Sequence, residues 1–562
     1  MKISKLTLAI ATVLGASATS GAFAMDLYVD TKTKQIYAEP GRGRELMGSF
    51  ERVQDAPAKT AEKSDKAEIA AIREDLALKN NEIKALQEHA AEATSPESVK
   101  VKLDDGIHFA TKDGNFTASI NGRMQVDSQT NVQSATGFTP ATPLSPGNDA
   151  LGIPGSPAAA GTPLALNDGV ALRRARLGIE GTFFKNTDYK FEYDFTRGNG
   201  TTAAGVTDAF IRYNFSKPFS IKFGAFKEPF SLEEATSNRY ITFIQRNMMV
   251  DTFVDNPNTY KMGIGANYSA ERWQAATSLQ TEPVGNNVVG QGSGNSTTTG
   301  PGLGDLNTNG GVNRSGGTGD TSWEVNARVS GMPWMESKTK FLHVGTSGSY
   351  ININNNYNSV GGFNNGSVGF VANPNTNVDR TSVLSTGVLT SGIKGTAAWR
   401  EANHMTRFGA ETALVYGPFS TQGEYIQTDI SGHGYNGESL SGFYGYMTYF
   451  LTGESRAYKS KTGAWDRLKP SRNFDMKGGW GAWEIASGYD SINLNNGVIR
   501  GGRMSTAKLG INWYPNSHVR VMANYIHALD INTEGVGSAT SRSRGFNNAD
   551  LDVIETRVQL DW

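Results

Sequence analysis

The chain has 562 residues, a formal net charge of −1, 65 glycines and no cysteine. Without cysteine there is no disulfide framework, thiol nucleophile or cysteine metal site. The balanced charge gives neither the basic surface of a nucleic-acid binder nor an acidic tail.

Residues 1–24 read as a secretory leader. Lys2 and Lys5 precede an apolar run from Leu6 to about Ala18, and Ala22-Phe23-Ala24 supplies a small-residue cleavage site. Beyond it no apolar run is long enough for a transmembrane helix. Residues 25–64 contain Pro40, Gly41, Gly43 and Pro57 and show no sustained period, which predicts a flexible lead. From Asp65 to Ala93 the chain is rich in Ala, Glu and Lys, with Ile69, Ile72, Leu76, Ile83, Leu86 and Ala90 at heptad core positions and Lys79 interrupting one of them. That pattern predicts a short coiled coil at 65–93, with a single solvated helix as the alternative. Ser95-Pro96 ends it, and 94–115 reads as a linker.

From 116 to 562 the texture is continuous. "FTASINGRMQVDSQ" places Phe116, Ala118, Ile120, Met124 and Val126 on one face and Thr117, Ser119, Asn121, Arg123, Gln125 and Asp127 on the other. "YKFEYDFTR" and "HVRVMANYIHAL" repeat the alternation in strands of about ten residues, the length of a tilted strand that crosses a bilayer. Short turns such as 185–188, 216–220, 416–420 and 514–519 take turns with long Gly/Asn/Ser/Thr-rich loops at about 130–169, 280–320, 353–395 and 530–548. Long loops on one side and short turns on the other are the pattern of an outer-membrane barrel. The count is about sixteen antiparallel strands, all-β and closed around an aqueous lumen. The connection 452–479 is long for a turn, and 353–395 has room for an extra hairpin. The last strand, "LDVIETRVQLDW", ends on Trp562, an aromatic suited to the membrane interface.

"LRRARLGIEGTFFKNTDYKFEYDF", "FSIKFGAFKEPFSLEEATSNRYITFIQRN", "YFLTGESRAYK", "GAWEIASGYDSI" and "LGINWYPNSHVRVMANY" resemble, in order and spacing, the phosphate-selective porins O and P over roughly 116–562. The resemblance implies an outer-membrane channel, usually a homotrimer, narrowed by inward loops and lined by cations that pass anions such as phosphate. Its partners would be membrane lipid and small anions, with no cofactor, metal or nucleic acid. Trp562 at the chain's end likewise resembles the assembly signal of such barrels.

Carried over residue by residue, Arg173 and Arg174 match an arginine pair at the narrow part of those channels. Arg123 matches a family arginine, Arg520 stands where a lysine lies, and Ser237 matches a serine in "ATS". Arg176 replaces a tyrosine, Asn238 a serine, and Glu234 a lysine important for binding. A carboxylate at Glu234 is expected to reverse the local field. Strand parity turns Arg123, Arg174, Arg176, Lys222 and Arg520 inward, and Arg173 only if the strand begins later or carries a bulge. The same parity turns Asp127, Glu180, Glu192 and Asp194 inward, so the lumen is mixed in charge.

Three other readings bear on function. A general diffusion pore with weak or cation preference follows from Glu234 and the mixed lumen. An envelope tether follows from the coiled coil, which in the usual orientation is periplasmic and could reach peptidoglycan or another periplasmic contact. An enzyme is disfavoured, since His343, His404, His433 and His518 form no H-E-x-x-H pair and no G-x-S-x-G stretch is present.

Overall fold

The structure is a computed structural model that describes residues 25–32, 35–50, 62–92, 99–103, 106–133, 137–138, 163–164, 166–196, 205–255, 260–283, 322–357, 363–365, 369–536 and 545–562. The expected leader at 1–24 and most of the long loops at 130–169 and 280–320 lie outside them. The chain divides into two compact units, one up to Ser95 and one from Pro96 to Trp562.

The first unit holds a three-stranded antiparallel sheet and a helix. Met25–Asp30 is the central strand between Ile36–Tyr37 and Arg44–Phe50. The expectation of a flexible lead over 25–64 is corrected for the described residues of 25–50, which form these strands, while 51–61 lie outside the described residues. These strands are too short to carry a sustained period, and a register shift between Leu27 and Tyr28 breaks the alternation further. The helix spans Glu62–Glu92, and its heptad residues Ile72, Leu76, Ile83 and Leu86 are exposed along the single chain.

The second unit is a closed antiparallel barrel of sixteen strands. In chain order these are β1 (Phe116–Gln133), β2 (Gly169–Phe183), β3 (Thr187–Asp194), β4 (Gly205–Asn214), β5 (Phe219–Lys227), β6 (Tyr260–Ser269), β7 (Trp273–Pro283), β8 (Trp323–Ser337), β9 (Lys340–Asn352), β10 (Glu401–Tyr416), β11 (Phe419–His433), β12 (Tyr435–Phe450), β13 (Ala482–Asn496), β14 (Ile499–Tyr514), β15 (Val519–Asn532) and β16 (Asp552–Asp561). Each pairs with its neighbour in sequence, and β16 returns to β1 with Asp561 opposite Arg123. The linker expected at 94–115 instead contains a hairpin, Val99–Lys102 and Ile107–Thr111, whose second strand pairs with β1 through Ile107 and Ile120. Strands of four and five residues are too short to stand out from a linker by period alone.

The barrel is inside out relative to a soluble protein. Leu177, Ile179, Ile211, Phe223, Ile264, Val329, Phe408, Leu509 and Val558 point outward and are exposed, whereas Gln125, Asp127, Glu192, Asn326, Arg328, Asp490 and Glu555 point inward and are buried. Only a lipid surround makes that arrangement favourable. Aromatic rings crowd the ends of strands at the short-turn rim. Phe183 stacks on Tyr189 with centroids 4.6 Å apart, and Trp483 stacks on Trp513 at 5.6 Å. Closure is completed by Trp562, whose N–H donates to Gly122 O at 3.2 Å while Gly122 N–H donates back at 3.1 Å. A Cβ on Gly122 would run into the Trp562 ring, so only glycine admits the indole there.

Candidate functional site: the occluded lumen

Among the described residues, three segments that fold into the barrel bear on the site. The first, 228–255, follows β5 and crosses the lumen with almost every residue buried. Its only regular pieces are short helical turns at Leu232–Ala235, Met248–Val250 and Asp251–Asp255, so most of its backbone polar groups need partners outside any ladder. The walls supply them. The N–H groups of Leu232 and Glu233 donate to the Glu424 carboxylate at 3.1 and 2.8 Å, and Ile244 and Met248 donate to Asn524 and Asp490 at 3.2 and 2.7 Å. Arg520 donates to Ile241 O and Thr242 O at 2.7 and 3.2 Å, and Gln125 to Asn238 O at 3.1 Å. Strands β11, β13, β15 and β1 thereby grip one segment.

Apolar packing fixes it from the loop side. Phe230, Phe243, Met248, Met249, Val250 and Phe253 cluster with Met405, Ile426, Ile492 and Ile526 of the walls and with Phe370 and Leu384 of the second segment. That second segment lies between β9 and β10 and contains the short hairpin Gly369–Ala372 and Leu384–Val388. It accounts for the extra room in 353–395. Asn375 donates to Asp490 at 3.0 Å, Asp379 N–H to Gln129 at 2.9 Å, and Arg380 to Asp251 at 2.7 Å.

The third segment, 451–481, joins β12 to β13 on the short-turn side and turns inward from there. Its short strands Tyr458–Lys459 and Ala464–Trp465 pair with each other. Trp465 donates its indole N–H to Gln422 at 2.5 Å, Tyr458 OH meets His343 Nδ1 at 2.7 Å, and Arg328 donates to Gly463 O at 2.7 Å.

The predicted site residues are distributed over these walls and segments. Pairing of β1 with β2 shifts register between Gln125 and Val126: Gln125 faces Arg174, while Val126 faces Leu172. Arg173 is the additional residue, and this bulge turns Arg173 and Arg174 to the same side. Arg173 Nε donates to Asn377 Oδ1 of the second segment at 2.6 Å, and Arg174 donates to Gln125 Oε1 at 2.9 Å. Asn377 is itself held from two directions, by the Asp127 carboxylate and, through its N–H, by Glu555 at 2.5 Å.

Arg123 and Arg176 share one carboxylate. Glu192 accepts from Arg123 at 2.8 Å and from Arg176 at 2.9 Å, and Arg176 also reaches Asp194 at 2.7 Å and Tyr260 OH at 2.9 Å. Arg123 also bonds Asn238 in the first segment. Ser237 lies at a turn of that segment, its carbonyl accepting from Tyr240 N–H at 2.8 Å. Lys222 faces the lumen beside Phe226, its ammonium 3.9 Å from the ring centroid. Around it Lys190 pairs with Asp208 at 2.7 Å and Arg212 with Asp188 at 2.6 Å. These groups on β3–β5 keep contact with water.

Glu234, expected to reverse the local field, has two cationic partners. It is fully buried, with Lys227 at 2.6 Å and Arg246 at 3.2 Å from its two carboxylate oxygens, so two cations enclose the one anion. In the same segment, burial opposes ionisation of Glu228, yet Arg407 at 2.6 Å and Lys261 at 3.1 Å hold its carboxyl well below the usual range. Glu233 goes the other way: burial pushes its carboxyl up despite Arg246 and Lys508.

Sequence reasoning gave no role to Asn377, to Gln125, which it placed only on the polar face of its strand, or to Arg456 and Trp465 of the third segment. The last had a visible signal, a polar and aromatic stretch in a connection too long for a turn.

A family model described as "Phosphate-selective porin O and P" matches residues 165–562. Porin O of Pseudomonas aeruginosa is 26% identical over 456 residues, covering 77% of this chain and 88% of that protein. An uncharacterized protein of Caulobacter vibrioides is 23% identical over 398 residues, covering 71% and 69%. Among solved structures, the outer membrane channel DcaP of Acinetobacter baumannii aligns with a TM-score of 0.41 at 11% identity, covering 81% of this chain and 99% of that one.

Proposed function

Because the chain belongs to the phosphate-selective porin O and P family, we propose that this outer-membrane porin passes small anions, phosphate among them, by passive diffusion. The observation that carries this reading is the bulge that sets Arg173 and Arg174 side by side toward the lumen at the level of the inserted segments. Asn377 and Gln125 are neutral acceptors that orient the two guanidiniums.

An oxyanion entering this region exchanges part of its hydration for charge-assisted hydrogen bonds, bidentate where a guanidinium edge is presented. Lys222, Arg123, Arg176, Ser237 and Arg520 then serve as further lining positions in this reading. Passage stays fast because no single site holds the anion too tightly. Glu234, lying between Lys227 and Arg246, lowers the positive charge of the segment in this reading. Titrating inorganic phosphate into a chloride-conducting channel tests the reading: concentration-dependent block supports it, and its absence contradicts it.

A second reading, a general diffusion pore of weak or cation preference, is favoured by the pairing of Arg123, Arg176, Arg328, Arg407 and Arg557 with buried carboxylates. Paired guanidiniums contribute structure more than field.

We further propose that residues 1–24 are cleaved on export and that the porin is a homotrimer. In the orientation usual for such barrels the short turns face the periplasm. The helix Glu62–Glu92 would then form a periplasmic coiled coil in which the exposed Ile72, Leu76, Ile83 and Leu86 of three chains bury one another. An envelope-tethering role, toward peptidoglycan or another periplasmic contact, is compatible with the channel.

A further inference from the structure

The third segment does not end inside the barrel. After Trp465 the chain runs back to the short-turn rim, where all of residues 472–480 except Gly479 are exposed. Two sets of contacts fasten this stretch to the outer face of β13 and β14. Phe474 N–H donates to Pro515 O at 2.8 Å, and its ring meets Trp513 edge-on with centroids 5.3 Å apart. The carbonyl of Trp480 accepts from the indole N–H of Trp513 at 2.9 Å and of Trp483 at 3.2 Å. Trp483 shares its outward parity with Ile485, and Trp513 with Ile511, and both isoleucines are exposed on the lipid-facing wall.

Between these two anchors the chain makes a turn built around one carboxylate. Asp475 Oδ1 accepts from the N–H groups of Lys477 and Gly479, both at 2.8 Å, and Arg472 donates to Asp475 Oδ2 at 2.9 Å and to Lys477 O at 3.1 Å. A Cβ on Gly479 would collide with Asn473 O, so glycine is required for the turn to close. At the apex Met476 is held at φ 56°, a left-handed backbone that residues with a side chain rarely adopt. The turn thus presents its apolar groups instead of tucking them in: Met476 is 86% exposed and Trp480 70%. Over 469–480 the charges are Lys469, Arg472 and Lys477 against Asp475, an excess of cations.

We propose that residues 472–480 form a foot that seats in the headgroup layer of the leaflet at the short-turn rim and binds anionic phospholipid there. The foot is continuous with the lipid-facing wall through Trp483 and Trp513, so the lipid that covers Ile485 and Ile511 reaches it as well. Met476, Phe474 and Trp480 sit at the boundary between headgroups and acyl chains, where an amphipathic indole is at home and an exposed methionine loses its contact with water. Lys477 lies next to Met476 in the turn, and its long stem lets the ammonium rise to the lipid phosphates while the apolar apex stays below. Lys469 adds a second cation, and together they favour a headgroup of net negative charge over a zwitterionic one. The hydrogen bonds around Asp475 set this shape before lipid arrives, so little ordering is needed on contact.

The chain has no cysteine, so Met476→Cys in the full chain takes a single nitrobenzoxadiazole dye at the apex. The labelled porin is reconstituted into phosphatidylcholine vesicles that carry a small fraction of lipid with a nitroxide near the head of one acyl chain, as phosphatidylcholine or as phosphatidylglycerol. Quenching by both is expected, with the phosphatidylglycerol form effective at several-fold lower mole fraction. Lys477→Gln in the labelled chain removes a cation and no bond of the turn, since only its backbone is used, and is expected to cut that preference by about fivefold. Absence of quenching by either lipid would overturn the foot, and is the result expected if a second copy of the chain covers this face. Equal quenching by the two lipids, or a preference unchanged in Lys477→Gln, would overturn the recognition of anionic headgroups.

Discussion

Arg173 and Arg174 are consecutive residues of one strand, yet both turn to the lumen, because Arg173 is the unpaired residue of a bulge opposite Gln125 and Val126. In a regular strand one of them would face lipid. The bulge therefore turns a sequence neighbour into a spatial pair.

That pair carries the first prediction. Arg173→Gln and Arg174→Gln each remove a guanidinium while leaving the strand's register intact. Each is expected to weaken phosphate block by at least about tenfold, the scale of one charge-assisted hydrogen bond of roughly 1.5–3 kcal/mol. Single-channel block kinetics provide the check.

Glu192 holds Arg123 and Arg176 together at 2.8 and 2.9 Å. Glu192→Gln keeps the shape and removes the charge that both guanidiniums face. Reversal potentials should move toward stronger anion preference. The barrel should at the same time lose stability, on the order of 3 kcal/mol for a broken buried ion pair, visible as a lower urea midpoint.

Gly122 admits the Trp562 indole with no room for a side chain. Gly122→Ala drives a methyl into the ring at the seam between β1 and β16 and is expected to cost about 1–3 kcal/mol. The fraction that refolds to the heat-modifiable form on a cold gel should fall, while Gly445→Ala, with nothing within 4 Å, should behave as wild type.

Deleting 58–95 removes the helix Glu62–Glu92 and none of the barrel's strands. Single-channel conductance should stay unchanged, while the trimer should dissociate at a lower temperature in detergent. Unchanged trimer stability and unchanged envelope attachment together would contradict the coiled-coil proposal.

The barrel was legible because side chains that alternate faces over eight to eighteen residues require an extended strand between an apolar and a wet surround. Short strands escaped for the converse reason: Met25–Asp30, Val99–Lys102 and Ile107–Thr111 carry too few alternations to stand above their turns. Individual wall arginines were legible as inward by parity, but their partners were not. Arg123 meets Asn238 across 115 residues and Arg173 meets Asn377 across 204, distances over which a linear pattern holds no information. The inward segments hid for a different reason. Their apolar residues, Phe230, Phe243 and Met248 among them, pack against apolar wall positions such as Ile426 and Ile526 inside a lumen that strand alternation marks as polar. Glu234 shows the same limit: its charge was plain in the chain, and the enclosure by Lys227 and Arg246 that neutralises it was not.

The most direct test of the account is the reversal potential of the purified porin in a planar bilayer under a potassium chloride gradient. The account predicts a potential of the sign set by chloride, showing that anions carry most of the current. A potential of the opposite sign would contradict it, and would mean that the carboxylates paired along the walls, not Arg173 and Arg174, set the field of the pore.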